Sequence, residues 1–158
     1  MTNQDQPINF VNEHNCFGCG TLNLHGLQLI LHNDDGGNGV WTTFTPDRRF
    51  EGYGGMIHGG IISTVLDEVM AWSLYRIGAW GVTAEMQVKF RKPVRVGEET
   101  RATGRIVRDR GRIFELTGEI RRAADHVLLA EATGTFVRVS REQADAWRDR
   151  YQAKDNAS

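Results

Sequence analysis

The stretch GGMIHGGIISTVLDEVMAWSLY, residues 54–75, decides the fold. Its apolar run extends from Gly59 to Ile77 and is closed by Gly78, a length that predicts a helix and not a strand. The interior of that helix is apolar on nearly every side, so most of its surface must be covered. In its middle stand two adjacent acids, Asp67 and Glu68. A charged side chain is expensive to bury without a partner or a chemical task, so each carboxylate needs an explanation.

Outward from the helix, the pattern changes to alternation. Upstream, Leu27 to His32 and Val40 to Phe44 alternate around an Asp/Gly/Asn-rich turn and predict a hairpin. Downstream, Thr83 to Arg91 carries Ala84, Met86, Val88 and Phe90 in phase. Thr100 to Arg108 follows, then Arg112 to Arg122 with Phe114, Leu116 and Ile120 in phase, and a last strand from Val127 to Val139. Such period-two segments predict antiparallel sheet. Ser140 and Gln143 form a capping box that opens a short terminal helix bearing Trp147 and Tyr151 on one side. The only material able to cover the long helix is a strongly curved sheet wrapped around it. One central helix inside an antiparallel sheet, with a short C-terminal helix, is the hotdog fold of the α+β class. Residues 1–25, polar and broken by Asn and Gly, read as an N-terminal arm, and 26–158 as a single domain.

Composition narrows the function. The chain has 158 residues, 40% of them apolar, enough for one core without metals or disulfides. Nineteen basic and twenty acidic residues leave a net charge of -1, which excludes the broad basic field of nucleic-acid and membrane-surface binders. The N-terminus shows no basic leader or apolar core of a signal peptide, and no segment is long and apolar enough for a span, so a cytoplasmic protein is expected. Cys16 and Cys19 are too few and too close to staple a secreted scaffold, and reduced thiols are expected.

On a helical wheel Gly60, Ser63, Asp67 and Ala71 fall on one small, polar stripe. Small residues leave room for a ligand, and a carboxylate facing that room is what a general base or nucleophile requires. The alternative for Asp67 is an ion pair with an arginine of the sheet. Glu68, off the stripe, reads as structural or interfacial. Ser63 and Thr64 are candidates for substrate contact. At the helix start, His58-Gly59-Gly60 places two amides free of side chains where unpaired N–H groups and the helix dipole favour negative charge. That is a ready oxyanion site, although a Gly-Gly pair can also mark nothing but a tight turn. His58 is a candidate base or a side chain that shapes the loop.

Gly60 and Asp67 lie about 10 Å apart along a helix axis, too far to serve one carbonyl from within one chain. A two-fold homodimer laying two such helices side by side would bring Asp67 of one chain towards Gly59 and Gly60 of the other.

Together with HNCFGCGTLNLHGLQL before the helix and GVTAEMQVKFRKPVRVGE after it, the stretch GGMIHGGIISTVLDE resembles the hotdog-fold acyl-CoA thioesterases of the phenylacetate-degradation, PaaI-like type. The resemblance spans about residues 10 to 139. It implies that the His58-Gly59-Gly60 turn gives a backbone N–H to the thioester carbonyl, and that Asp67, nine positions after His58, is the nucleophile or water-activating base. Thr83 matches a hydroxyl residue that positions the water. Where some relatives carry Asn or Gln, this chain has Gly52. The implied substrate is a small or medium acyl-CoA, with Arg91 and Lys92 placed for the phosphates or simply solvated at a strand end. The implied assembly is a homodimer or a dimer of dimers, with no cofactor. The rival readings are a non-catalytic acyl-CoA binding module and a hydratase on the same scaffold. The Cys16/Cys19 pair is half a zinc site, which His14 and His25 would have to complete, or else a structural loop or a pair of redox-sensitive thiols. No metal is expected.

Overall fold

The computed structural model describes residues 7–9 and 12–151. Residues 1–6, 10 and 11 of the expected arm and 152–158 of the expected domain lie outside the described residues. The elements are β1 (His32–Asn33), β2 (Gly39–Phe44), α1 (Gly59–Ser73), β3 (Gly81–Phe90), β4 (Thr100–Asp109), β5 (Ile113–Arg122), β6 (Leu128–Arg138) and α2 (Arg141–Tyr151). The strands form one antiparallel sheet in the order β1-β2-β4-β5-β6-β3, so β3 lies at an edge although it follows the central helix directly.

The sheet curls around α1 as the hotdog pattern predicts. Val65, Leu66, Val69 and Met70 on the helix and Phe114, Leu116, Ile120 and Phe136 on the sheet are almost wholly buried in one core. Truncating one of these large side chains to alanine would cost about 2–5 kcal/mol. The helix reaches the sheet because Gly104 has no side chain: a Cβ there would stand 2.1 Å from the Val69 carbonyl oxygen. A sheet glycine here sets the distance between the layers.

Several boundaries differ from the sequence pattern. The helix is α-helical to Ser73, tightens to a 3-10 turn over Leu74–Ile77, and ends at Gly78 with φ 64°. Leu27 to Leu31 do not pair with β2, and the ladder is confined to His32 and Asn33. The backbone turns left-handed at Gln28 (φ 50°). The segment bonds instead to the N-terminal arm: Leu27 N–H to Phe17, Leu29 N–H to Gly18, and Leu31 N–H to the Asn9 side chain. Thus the arm has no regular element over 12–25, yet Ile8, Asn9, His14 and Cys19 are buried. The Ser140 hydroxyl caps α2 by accepting from Gln143 N–H.

β3 departs in a way that matters for the site. Its ladder with β6 shifts between Thr83 and Glu85, so Ala84 is an extra residue in a bulge. Before the bulge the alternation reverses: Thr83, not Ala84, shares the helix-facing side with Met86, Val88 and Phe90, opposite buried Phe136.

Candidate active site

The bulge gives Thr83 its partner. Its hydroxyl donates to Asp67 Oδ1 at 2.6 Å, joining the edge strand to the half-exposed face of α1. Asp67 enters no ion pair among the described residues, which removes the sheet arginine offered as its alternative partner. One carboxylate oxygen is thereby oriented by a hydroxyl, and the other is left for a further donor. The pair borders a cavity of about 370 Å³ whose other walls include Trp72 and Tyr75 of the helix end, Trp80 of the link to β3, and Trp147 and Tyr151 of α2. Trp80 packs against both α2 aromatics, with ring centroids 6.0 and 6.2 Å apart. The sequence pattern puts Trp147 and Tyr151 on one side of a helix, and no local signal indicates that this side faces Trp80.

Seven residues earlier, the helix start has its own geometry. His58 is the N-cap, and its Nδ1 accepts from Gly60 N–H at 2.9 Å. A ring nitrogen that accepts carries no proton, so in neutral imidazole the proton sits on Nε2. His58 therefore shapes the turn, and its Nδ1 is not free to act as a base. The Gly60 amide is engaged by the same bond. The Gly59 N–H, by contrast, donates to no group among the described residues. Ser63 and Thr64 donate their hydroxyls back to the Gly59 and Gly60 carbonyls, each at 2.9 Å, which ties both side chains to the helix.

Gly59 and His58 open on a second, wider cleft of about 820 Å³, bordered also by Gly52, Phe90, Arg91 and Lys92. Arg91 is held by Glu131 at 2.7 Å, whereas Lys92 forms no ion pair among the described residues. A Cβ on Gly52 would stand 3.2 Å from His58 Cα, so a side chain here would press on the cap residue. The expected site residues thus fall into two groups: Asp67 and Thr83 in one cavity, and Gly52, His58, Gly59, Arg91 and Lys92 around the other.

Glu68 borders the same cavity as Asp67 but has other partners. Trp72 Nε1–H donates to its Oε1 at 3.1 Å, and the Cys16 sulfur lies 3.9 Å from the same oxygen. Gly18 makes this approach possible, since a Cβ there would stand 2.3 Å from Glu68 Oε2. Burial, followed by the neighbouring Cys16 charge, raises the Glu68 carboxyl to about 7. Cys16, Cys19 and Glu68 bring their ligand-type atoms within 4.8 Å of one another, and neither His14 nor His25 belongs to that cluster. His14 instead accepts from the Cys16 backbone N–H through Nδ1.

A single helix wrapped by this sheet, with a carboxylate half-way along it and an open amide at its start, defines a hotdog-fold protein. Residues 54–129, just under half of the chain, match the family model for the thioesterase superfamily. Among curated proteins, the acyl-coenzyme A thioesterase THEM4 of Xenopus laevis is 30% identical over 97 residues, 61% of this chain and 43% of that protein. The chain thus spans less than half that relative's length. An uncharacterized protein of Schizosaccharomyces pombe is 28% identical over 129 residues, 72% of this chain and 74% of its own length. Among solved structures, the thioesterase superfamily protein RHA08564 superposes with a TM-score of 0.73 at 24% identity, covering 87% of this chain and 68% of its own. The protein smu.793 of Streptococcus mutans, bound to acetyl CoA, gives 0.66 at 20% identity over 71% of this chain and 89% of its own. Those two likenesses carry the fold. No helix among the described residues is long and apolar enough to cross a membrane.

Proposed function

We propose that the chain hydrolyses a small or medium acyl-CoA thioester to the free acid and CoA, in a homodimer whose active sites are each shared by two chains. The observation that carries this reading is the 2.6 Å bond from Thr83 to Asp67 Oδ1 on the open face of the helix. A water accepted by the free Asp67 oxygen and by the Thr83 hydroxyl is placed to attack. Its oxygen bonds to the thioester carbon, its proton passes to Asp67, and the carbonyl oxygen becomes an oxyanion. The Gly59 N–H, at a helix N-terminus and lacking a protein acceptor among the described residues, receives that charge. Collapse of the tetrahedral species expels the CoA sulfur, which takes the proton from Asp67.

The open Gly59 amide, not the Gly60 amide bound by His58, is the oxyanion donor in this scheme. His58 holds the turn. Lys92 meets the CoA phosphates, with Arg91 beside it but already engaged by Glu131. The thioesterase name of the Xenopus relative and the acetyl CoA bound by the streptococcal neighbour support the substrate class.

The shared site is supported by β3. It is a ten-residue edge strand with little burial on either face, and Val82 and Phe90 are 47 and 57% exposed on it. A long unprotected edge is a template for a second strand. Thr83, at one end, touches Asp67; Phe90, at the other, approaches Gly59, where a Cβ would lie 3.4 Å from its ring. Antiparallel pairing of β3 with its two-fold copy places the Thr83 end of one chain beside the Phe90 end of the other. Asp67 and Thr83 then face the partner's Gly59.

The test is release of free thiol from a panel of acyl-CoAs that differ in chain length and ring content. Turnover of at least one member, abolished by Asp67→Asn, supports the hydrolase. Tight binding of acyl-CoA without turnover would establish the binding module in its place.

A further inference from the structure

The cavity that holds Asp67 and Thr83 has a second chemical feature on its wall, which the hydrolytic scheme leaves unused: Cys16 and Cys19. Cys16 and Cys19 occupy one tight turn in which Gly20 N–H donates to the Cys16 carbonyl at 2.9 Å. Two glycines permit that turn to sit where it does. A Cβ at Gly20 would lie 2.2 Å from the His14 carbonyl oxygen, and one at Gly18 would strike the Glu68 carboxylate. The loop is therefore fitted to its surroundings on both sides, and Cys16 is drawn to Glu68 of the helix, 52 positions away in sequence.

The two thiols are unlike. Cys16 is half-buried and borders the cavity, while Cys19 is 4% exposed. The Cys16 thiol is lowered to about 5, first by the hydrogen bond it accepts from Cys19 and against the effect of burial. The same bond and burial push Cys19 well above the ordinary thiol range. An accessible thiolate paired with a buried, protonated thiol is the division of labour between an attacking and a resolving cysteine.

We propose that Cys16 and Cys19 form a reversible dithiol–disulfide site, oxidised by hydroperoxides that enter the cavity and reset by a dithiol reductant. In the first step the Cys16 sulfur attacks the terminal peroxide oxygen. The O–O bond breaks, the alcohol or water departs with a proton, and Cys16 becomes a sulfenic acid, oxidised by two electrons while the peroxide is reduced by two. In the second, Cys19 gives its proton to the Glu68 carboxylate and its sulfur attacks Cys16. The S–S bond forms, the S–O bond breaks, and the leaving hydroxide takes up the proton as water. Two thiols and one hydroperoxide yield a disulfide, an alcohol and water. A dithiol reductant reverses it by exchange. Glu68, whose carboxyl lies within 4.8 Å of both sulfurs, is the positioning residue for the second step.

A three-donor metal site would use the same groups. His14 and His25 stand outside that cluster. The thiol chemistry stands independently of the proposed hydrolase. Only its effect on turnover rests on that reading.

The experiment treats the reduced full chain with one equivalent of hydrogen peroxide and follows intact mass and titratable thiols, with no acyl-CoA present. The wild type is expected to lose about 2 Da and both thiols, and to regain them with dithiothreitol. Cys19→Ser and Cys19→Ala are expected to stop at a gain of about 16 Da that dimedone traps on Cys16. Cys16→Ser is expected to show neither change. Glu68→Gln is expected to accumulate the trappable sulfenic acid before the disulfide. Retention of both thiols in the folded wild type, or protection of them by an equivalent of bound zinc, would overturn the proposal. So would dimedone trapping on Cys19 instead of Cys16. Because the readout is a mass, an enzyme inactive toward every acyl-CoA would leave this result standing, and failure here would leave the hydrolase standing.

Discussion

The Thr83 hydroxyl and Asp67 Oδ1 meet at 2.6 Å only because Ala84 bulges out of the edge strand and reverses the phase of the residue before it. Asp67→Asn keeps the size of the side chain and removes its basicity. Turnover is expected to fall by about 10²–10⁴-fold, the usual contribution of a general base. Thr83→Val removes only the orienting bond to a charged acceptor, worth about 1.5–3 kcal/mol, and kcat is expected to fall by roughly 10–100-fold. Steady-state thiol release on both variants checks the order. Equal activity of Thr83→Val and wild type would detach Thr83 from the chemistry.

The two glycine amides are expected to separate on substitution. Gly59 is the first helical residue, where proline is well accommodated, and His58 before it has the extended φ -58°, ψ 134° that a pre-proline residue adopts. Gly59→Pro therefore deletes one N–H with little disturbance, and kcat is expected to drop about 10²–10³-fold. His58→Ala instead loses the cap to Gly60 N–H, and is expected to lower stability by about 1 kcal/mol. Denaturant melts and kinetics on the pair decide it. A Gly59→Pro protein that folds and retains full turnover would remove Gly59 from the oxyanion role.

Glu68 predicts a pH effect on stability. Its folded-state carboxyl is raised to about 7 from an ordinary 4.5, so the folded state holds this proton more tightly than the unfolded chain. The stabilisation is fully present below the unfolded value and is lost as pH rises through about 7. Relative to Glu68→Gln, the wild type should lose on the order of 3 kcal/mol between pH 4.5 and pH 8. Melting both proteins across that range measures it. A difference independent of pH would contradict the buried, proton-holding Glu68. The same variant should retain most thioesterase activity, since Glu68 is engaged by Trp72 and the Cys16 loop, whereas Thr83 bonds to Asp67.

Lys92 predicts a split between the kinetic constants. If it meets the CoA phosphates, Lys92→Ala should raise KM several-fold, leave kcat within about twofold, and flatten the dependence of KM on salt. Unchanged KM at low ionic strength would place the phosphates elsewhere.

Periodicity made most of the fold legible: the apolar run of the helix and the alternation in β4, β5 and β6 each dictate one element. It could not place the bulge, because Thr and Ala at 83 and 84 fit either face of a strand, and the choice is made by the reach to Asp67 across sixteen positions. Nor could it pair Leu27 to Leu31, whose partners belong to an arm without a period. In the candidate site, the nine-residue spacing from His58 to Asp67 was visible, but the loss of the Gly60 amide to His58 depends on a rotamer. The contact of Cys16 with Glu68 spans 52 positions and has no local signal.

The central claim is that Asp67 and Thr83 of one chain act with Gly59 of the other, and mixing two impaired variants tests it most directly. Asp67→Asn and Gly59→Pro, each shown to fold and dimerise, are denatured and refolded together. In a shared site the mixed dimer has one site with both defects and one with neither. Random pairing makes about half of the dimers mixed, so roughly a quarter of wild-type turnover should return. Folded mixed dimers with no recovered turnover would contradict the account, because a site built within one chain is broken in both parents and stays broken in every mixture.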